Sequence, residues 1–202
     1  GWHALIELVA PRGRSAGLDE LAESMLSGAL DAGLLDDAVI AANEAQAEGF
    51  WTLRDEIAAA ERAKGPAVQH DISVPVERMP EFVEAAVPQI EAAWPGCEAI
   101  GFGHLGDGNV HFHVIAPPGV DPAAWQEGDG KAISAQVYDM VSQWGGSISA
   151  EHGIGQLKLG ELARLTDPVQ LALMARIKQA LDPQGLLNPG ELVPLAPSGD
   201  SP

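Results

Sequence analysis

Residues 97–115 read CEAIGFGHLGDGNVHFHVI and place a glycine-rich centre between two segments with strand character. Its first part, residues 97–103, is predicted to be extended, and its last part, residues 110–115, is apolar enough for a buried strand. Between them, residues 105–109 (LGDGN) have the glycine and aspartate content of a tight turn. The stretch therefore predicts an antiparallel hairpin.

Helical and extended segments alternate on both sides of this hairpin. Residues 70–74 (HDISV) and 147–150 are predicted strands, and residues 79–94 and 121–144 have helical periodicity. Nearer the ends, we expect strands at residues 2–10 and 37–41 and helices at residues 18–32, 43–61 and 167–181. This order predicts an α+β fold: a ferredoxin-like antiparallel or mixed sheet with helices packed on one face, enlarged by extra helices.

The net charge of the chain argues against some classes of binding partner. The 202 residues include 11 Lys and Arg against 29 Asp and Glu, which gives a formal net charge of −18. This excess repels nucleic acid and anionic lipid surfaces. It also repels small carboxylates, so any anion site needs a local Arg, metal ion or helix N-terminus.

Cysteine content and hydropathy suggest a compartment. Cys97 is the only cysteine and cannot form an internal disulfide, and the sequence has no recognisable secretory leader or membrane span. These features predict a cytoplasmic protein. The Pro/Ser-rich residues 192–202 are predicted to be a disordered tail. An apolar strand that begins as early as Trp2 suggests a piece cut from a longer chain, and a processed N-terminus is equally compatible with it.

Three histidines flank the predicted turn. His104 precedes it, while His111 and His113 follow it two residues apart, so that their side chains point to one face of a strand. The hairpin would bring His104 beside them. Imidazoles that converge in this way, completed by a carboxylate, suit a zinc or manganese site. The alternative is that they are partly buried strand residues bonded to the backbone.

A second polar cluster follows the predicted strand at residues 147–150. Glu151 and His152 come directly after it and precede a Gly-x-Gly turn, Gly153 to Gly155. Loops at strand ends often carry functional side chains. Since neighbouring residues of an extended backbone point in opposite directions, Glu151 could face a metal while His152 faces a substrate. The alternative is a solvated acid beside a surface histidine.

Two further segments carry candidate residues. Arg54 lies on a predicted helix rich in Glu and Ala, where Arg is usually an exposed ion-pair partner. Its planar fork could also hold both oxygens of a carboxylate. Residues 182–190 (DPQGLLNPG) display Asn188 in a turn but by themselves indicate only the end of a helix.

Five segments together resemble a known family. They are WTLR, HDISVP, GHLGDGNVHFHV, SAEHGIGQLK and DPQGLLNPG, at residues 51–54, 70–75, 103–114, 149–158 and 182–190. They are similar to the C-terminal region of the FAD-linked oxidases, which include D-lactate, glycolate and D-2-hydroxyglutarate dehydrogenases. The resemblance implies that residues 1–191 are a substrate or cap domain, and that the FAD-binding domain against which it packs is absent from this chain.

The resemblance also implies roles in the reaction. His104, His111 and Glu151 would be ligands of a divalent metal, zinc or manganese. His152 would be the base that takes the proton from the 2-hydroxyl group of the substrate.

Other positions would contact the substrate or the flavin. Arg54 would clamp the substrate carboxylate, Lys158 would lie near the same pocket, and Asn188 would approach the flavin. Gln69 stands where family members often carry Lys, and His113, expected at the substrate, stands where metal-dependent hydroxyglutarate enzymes have Asn. These departures leave D-lactate, glycolate and D-2-hydroxyglutarate all open as substrates.

The expected function is that of the substrate-binding part of an FAD-dependent 2-hydroxy-acid dehydrogenase. Its partners would be a small 2-hydroxy acid and an FAD-binding domain or subunit, and self-association into a homodimer stays open. One rival is a stand-alone metal hydrolase that uses His104, His111 and Glu151 to activate water. The other is an acidic interaction module whose histidines are structural.

Overall fold

The computed structural model describes residues 1–11 and 17–192 and divides the chain into two compact units. The first unit is Gly1–Ala63 and the second is Lys64–Pro202. The tail predicted to be disordered lies outside the described residues, apart from Leu192.

The first unit is helical. Its helices are α1 (Leu18–Asp31), α2 (Glu44–Asp55) and α3 (Ile57–Lys64), the last of which ends one residue beyond the unit. The Asn43 side chain accepts a hydrogen bond of 3.0 Å from Gln46 N and so caps α2 at the residue where the predicted helix begins. The single helix predicted for residues 43–61 is interrupted at Glu56.

The strands predicted at residues 2–10 and 37–41 are wrong. Both segments are irregular, and Val9 and Val39 are exposed. A strand needs a neighbour to pair its backbone groups. Every strand in the described part of the chain belongs to the second unit, so these apolar segments have no pairing partner within their own unit.

The second unit is built on an antiparallel sheet. Its strands are β1 (Ala67–Ser73), β2 (Glu98–His104) and β3 (Asn109–Ile115), in the spatial order β1-β3-β2. The turn between β2 and β3 confirms the predicted hairpin. Gly108 in this turn has φ 74°, and a Cβ atom there would lie 2.1 Å from Val74 O, so the position requires glycine.

The strand predicted at residues 147–150 is reduced to an isolated bridge. Ser147 and Ser73 exchange two antiparallel backbone hydrogen bonds of 2.9 and 3.0 Å. The Ser147 hydroxyl group then donates to Ser149 O, and Ala150 N donates to Asp71 O at 3.2 Å, so the chain stays beside β1 without forming a regular ladder. The spatial order bridge-β1-β3-β2 confirms the α+β, ferredoxin-like prediction with a shortened fourth strand.

Two helices cover one face of the sheet. Helix α4 (Met79–Ala93) contacts β2, and α6 (Lys131–Gln143) contacts β1. Helix α6 continues from α5 (Pro122–Trp125) through a π-helical turn. Alternate residues of β3 point toward these helices. The fully buried side chains of this core include Ile72, Phe82, Ile90, Val110, Phe112, Val114, Ile133, Val137 and Val141.

Two helices complete the second unit. Helix α7 (Leu159–Leu165) has no counterpart among the predicted elements, whereas α8 (Pro168–Leu181) begins at the predicted position, capped by the Asp167 side chain. Within the residues that the structure describes, no helix is long and apolar enough to cross a bilayer.

Candidate active site

The face of the sheet opposite α4 and α6 carries the chemically active side chains. We call it the histidine face and define it by Asp71, His104, Asn109, His111 and His113. The strand register brings these side chains to one face, because Asp71 pairs with His111 and His104 pairs with Asn109. Because strand side chains alternate, the polar set stays on this face while the apolar set forms the core.

The three predicted histidines lie together on this face. The ring centroids of His104 and His111 are 6.3 Å apart, and those of His111 and His113 are 6.2 Å apart. Phe102 packs against the last two, with centroid distances of 5.1 and 5.2 Å. His104 is exposed and His113 is buried, so the cluster runs from solvent into the protein.

Asp71 joins the histidine face to the loop that carries Glu151 and His152. Its carboxylate Oδ2 accepts 2.8 Å hydrogen bonds from the backbone N–H groups of both loop residues. Oδ2 also lies 3.9 Å from His152 Nδ1, and Oδ1 lies 4.0 Å from His111 Nδ1. Asp71 is only 4% exposed.

The environment of Asp71 favours its charged form. Burial by itself raises the pKa of this carboxyl group, but the backbone N–H groups of His152 and Glu151 and the nearby charges of His152 and Lys158 outweigh burial. The net result is a pKa below the usual value for aspartate.

Asp71 lies within the HDISVP segment, whose sequence predicts a strand and assigns Asp71 no role. The signal that could have found it is an acidic residue between His70 and Ile72 in an otherwise apolar strand, because a buried carboxylate needs partners. Its partners lie about 80 positions further along the chain, which a single sequence does not reveal.

The loop of residues 149–158 is held in a defined shape. Gly153 and Gly155 have φ values of 71° and 55°, so the Gly-x-Gly segment turns as predicted. Lys158 is half-buried and its Nζ donates 2.9 Å to Ile148 O, which ties the end of the loop to its start. Burial lowers the pKa of Lys158, and the charge of Asp71 opposes that change. The His152 side chain, 72% exposed, is accessible to a ligand.

A polar cavity of about 200 Å³ adjoins this loop and the turn between β2 and β3. Asn109 lines it while being only 2% exposed, and neither amide atom of its side chain has a hydrogen-bond partner in the described part of the chain. The other lining residues are Ser73, Asp107, Ser149, Ala150 and Glu151. A buried amide without partners is costly, so this cavity suits a polar occupant such as water or a hydroxyl group.

The predicted metal ligands are only partly assembled. His104 and His111 are neighbours, and Glu151 sits on the loop that Asp71 anchors. Across residues 1–11 and 17–192, however, no three His, Cys, Asp or Glu side chains form a group that could hold a metal ion. Two imidazoles and a carboxylate fit zinc by donor type but are not gathered around a common centre.

The remaining predicted residues belong to other segments of the chain. Arg54 belongs to the first unit, on α2, with Nη1 3.6 Å from Asp55 Oδ1. Asn188 lies in the turn after α8 with φ 43°. That turn is organised by Asp182, an anchor that the sequence alone did not reveal. Its carboxylate accepts 2.8 and 2.9 Å hydrogen bonds from Leu186 N and Leu187 N.

Comparison with known proteins identifies the family. Residues 2–192 match the model of the FAD linked oxidases, C-terminal domain, and the chain belongs to this family. It is 37% identical over 175 residues to the mitochondrial D-2-hydroxyglutarate dehydrogenase of Arabidopsis thaliana, covering 87% of this chain and 30% of that protein. It is 36% identical over 188 residues to the mitochondrial enzyme of Rattus norvegicus, covering 93% and 34%.

Bacterial relatives are equally similar. The D-2-hydroxyglutarate dehydrogenase of Xanthomonas citri pv. viticola is 38% identical over 167 residues, covering 81% of this chain and 34% of that protein. The chain thus spans about a third of the length of these relatives. Family membership confirms the predicted resemblance and favours neither the hydrolase nor the interaction module.

The expectation of a cytoplasmic protein is wrong. Relatives from Arabidopsis thaliana, rice and rat are named as mitochondrial proteins. A single cysteine therefore does not define the compartment of a member of this family.

Proposed function

We propose that this chain is the substrate-binding part of an FAD-dependent 2-hydroxy-acid dehydrogenase, which oxidises the 2-hydroxyl group of its substrate to a 2-oxo group. The family and the names of the relatives support this proposal. The observation that carries it is the convergence of His111 and His152, from two distant segments, on the buried carboxylate of Asp71.

In this proposal His152 is the catalytic base. Its ring is exposed on one side and lies near the carboxylate of Asp71 on the other, so it can reach a substrate hydroxyl group and keep a stabilising anion behind it. His113, at the buried end of the cluster, and Lys158, at the base of the loop, would contact the bound acid. Arg54 would hold the substrate carboxylate in a bidentate pair.

Two cofactors belong to the proposal. FAD, bound mainly by a part of the enzyme outside this chain and approached by Asn188, would supply the hydride acceptor. His104, His111 and Glu151 would hold a zinc or manganese ion, whose charge would polarise the substrate hydroxyl group. A cationic centre of this kind would also offset the repulsion between a substrate anion and a chain of net charge −18.

We propose D-2-hydroxyglutarate as the first substrate to test, since the relatives carry its name. Gln69 pairs with His113 across the sheet, in a position where a lysine would have offered a second cation to a dicarboxylate. D-lactate and glycolate, which carry one carboxylate, are therefore the necessary comparisons.

The test is dye reduction by the FAD-loaded enzyme that contains this chain, with each of the three acids. His152→Gln is expected to lower kcat about 100- to 10,000-fold, the usual range for loss of a general base. Gln156→Ala, an exposed residue of the same loop, is the matched control and should leave kcat unchanged. Full activity of His152→Gln, or no oxidation of any of the three acids by the wild type, would contradict the proposal.

A further inference from the structure

The carboxylate of Asp71 is placed between two histidines that come from different segments. Oδ1 lies 4.0 Å from His111 Nδ1, and Oδ2 lies 3.9 Å from His152 Nδ1. In both rings the nitrogen nearer to the carboxylate is Nδ1, which leaves Nε2 as the more distant nitrogen. Oδ1 has no hydrogen-bond partner in the described part of the chain, although Asp71 is buried.

A carboxylate constrains a neutral imidazole because it can only accept hydrogen bonds. A neutral ring has one N–H donor and one acceptor nitrogen, so an anion beside Nδ1 favours the tautomer with the proton on Nδ1. The observed separations exceed a hydrogen bond, and such contacts in ligand-free enzymes often shorten only when substrate binds.

We propose that Asp71 is a positioning residue that fixes the Nδ1–H tautomer of both His111 and His152, and so presents the Nε2 lone pair of each ring to the bound substrate or metal. For His152 this inference rests on the proposed function, because the lone pair is what accepts the substrate proton. The same carboxylate holds the loop in place through the N–H groups of Glu151 and His152. A single buried side chain therefore sets both the place and the protonation pattern of the site.

Two other features agree with this role. The N–H donors on Oδ2 fix the carboxylate plane, so Oδ1 is left to face His111. Lys158, anchored on Ile148 O, adds a positive charge that helps to keep Asp71 ionised. Removal of a carboxylate that orients a histidine typically lowers activity or metal affinity by about 10- to 100-fold.

The direct test is the tautomer of each ring in the 202-residue chain, read from two-bond ¹H–¹⁵N couplings of ¹⁵N-histidine-labelled protein at a pH where the rings are neutral. The chain has six histidines, so each signal can be assigned by single substitution. His70 provides an internal reference, because its Nδ1 donates to Phe112 O and must carry the proton in every folded variant. We expect His111 and His152 in the Nδ1–H form in the wild type.

Asp71→Asn should separate the effect of the carboxylate on His111 from its effect on His152. The amide oxygen is expected at the Oδ2 position, where two N–H groups need an acceptor, which puts the amide NH₂ group beside His111 Nδ1. His111 should then change to the Nε2–H form, while His152 keeps Nδ1–H. Asp71→Ala removes both acceptors, and both rings should lose the Nδ1–H form.

Asp182→Asn is the matched control, since Asp182 is also a buried carboxylate that accepts two backbone N–H groups. It should leave both tautomers unchanged even if it lowers stability. The inference is overturned if either ring is already Nε2–H in the wild type, or if both keep Nδ1–H in Asp71→Ala while His70 still reports a folded core.

Steady-state kinetics provide a second, independent measurement. In the FAD-loaded enzyme, Asp71→Asn should lower kcat about 10- to 100-fold with little change in KM, because substrate contacts are kept and the site is misoriented. A change of the His152 tautomer in Asp71→Ala without loss of turnover would overturn the proposed role of His152 but not the tautomer assignment. Unchanged tautomers would overturn the inference whatever the activity.

Discussion

At the scale of single residues, burial makes His70 sensitive to acid. Both ring nitrogens are hydrogen-bonded in the core, to Phe112 O at 2.8 Å and Ser134 Oγ at 2.9 Å. Burial lowers the pKa of His70 from 6.5 to about 4. The unfolded chain therefore takes up this proton near pH 6.5 and the folded chain only near pH 4. Stability should fall across that window, by about 3 kcal/mol at its acid end.

This prediction is checked by urea unfolding at pH 7.5 and pH 4.5. His70→Gln should lose much of the stability difference between the two pH values, whereas His3→Gln, an exposed histidine of the first unit, should keep it. Equal pH dependence in the wild type and His70→Gln would show that carboxyl groups alone cause the acid sensitivity.

The proposed metal site makes a second prediction at this scale. If His111 and Glu151 are ligands of one ion, His111→Ala and Glu151→Ala should each lose stoichiometric zinc or manganese, measured by mass spectrometry after dialysis against the metal. His3→Ala is the control and should keep the metal content of the wild type. If the wild-type chain binds no metal, the proposal that this chain holds a metal ion is wrong.

At the scale of secondary structure, the turn between β2 and β3 depends on one glycine. Gly108→Ala would force a side chain into a left-handed conformation and against Val74 O, at a cost of about 1–3 kcal/mol from the strain alone. Gly106→Ala, in the same turn with open space around its Cβ position, is the matched control. Thermal unfolding of the two variants should differ by several degrees, and similar melting temperatures would contradict this reading of the turn.

The hairpin and the long helices could be predicted because their signals are local. Alternation in β3, the glycine turn and the caps at Asn43 and Asp167 all lie within a few residues of the elements they define. The segments at residues 2–10 and 37–41 show the limit of prediction from local signals. Their apolar sequence favours a strand but does not supply a strand to pair with. The fourth strand shows this limit too: the segment forms one bridge to β1, and its further hydrogen bond to β1, from Ala150 N to Asp71 O, lies outside a regular ladder.

At the scale of the whole molecule, the apolar core of the sheet lies entirely within the second unit, from Val68 to Met174. Residues 64–202 alone should therefore fold and unfold cooperatively, as measured by calorimetry against the full chain. The fragment should also keep the three histidines on one face. A fragment without a cooperative transition would mean that this core is not sufficient for folding.

The candidate site was predictable in composition but not in assembly. The histidines and the Glu151–His152 pair were identified from the sequence, because their spacing on strands and loops is a local property. Asp71 joins them through contacts that span about 80 residues, so its role appears only in the folded molecule. The same holds for Asp182. The sequence around it predicts only the end of a helix, and its hydrogen bonds to Leu186 N and Leu187 N appear only in the structure.

The register of β3 has a genetic consequence. Phe112 faces the core and His111 faces the site, one residue apart on a strand whose side chains alternate. Insertion or deletion of one codon that slid β3 by one residue would drive a histidine into the core and carry a phenylalanine to the site. Such an allele would lose folding and chemistry together. Within β3, inheritable loss of activity with the fold intact must therefore arise by substitution of a residue that faces the site, and a non-catalytic descendant of this chain should keep the length of this hairpin.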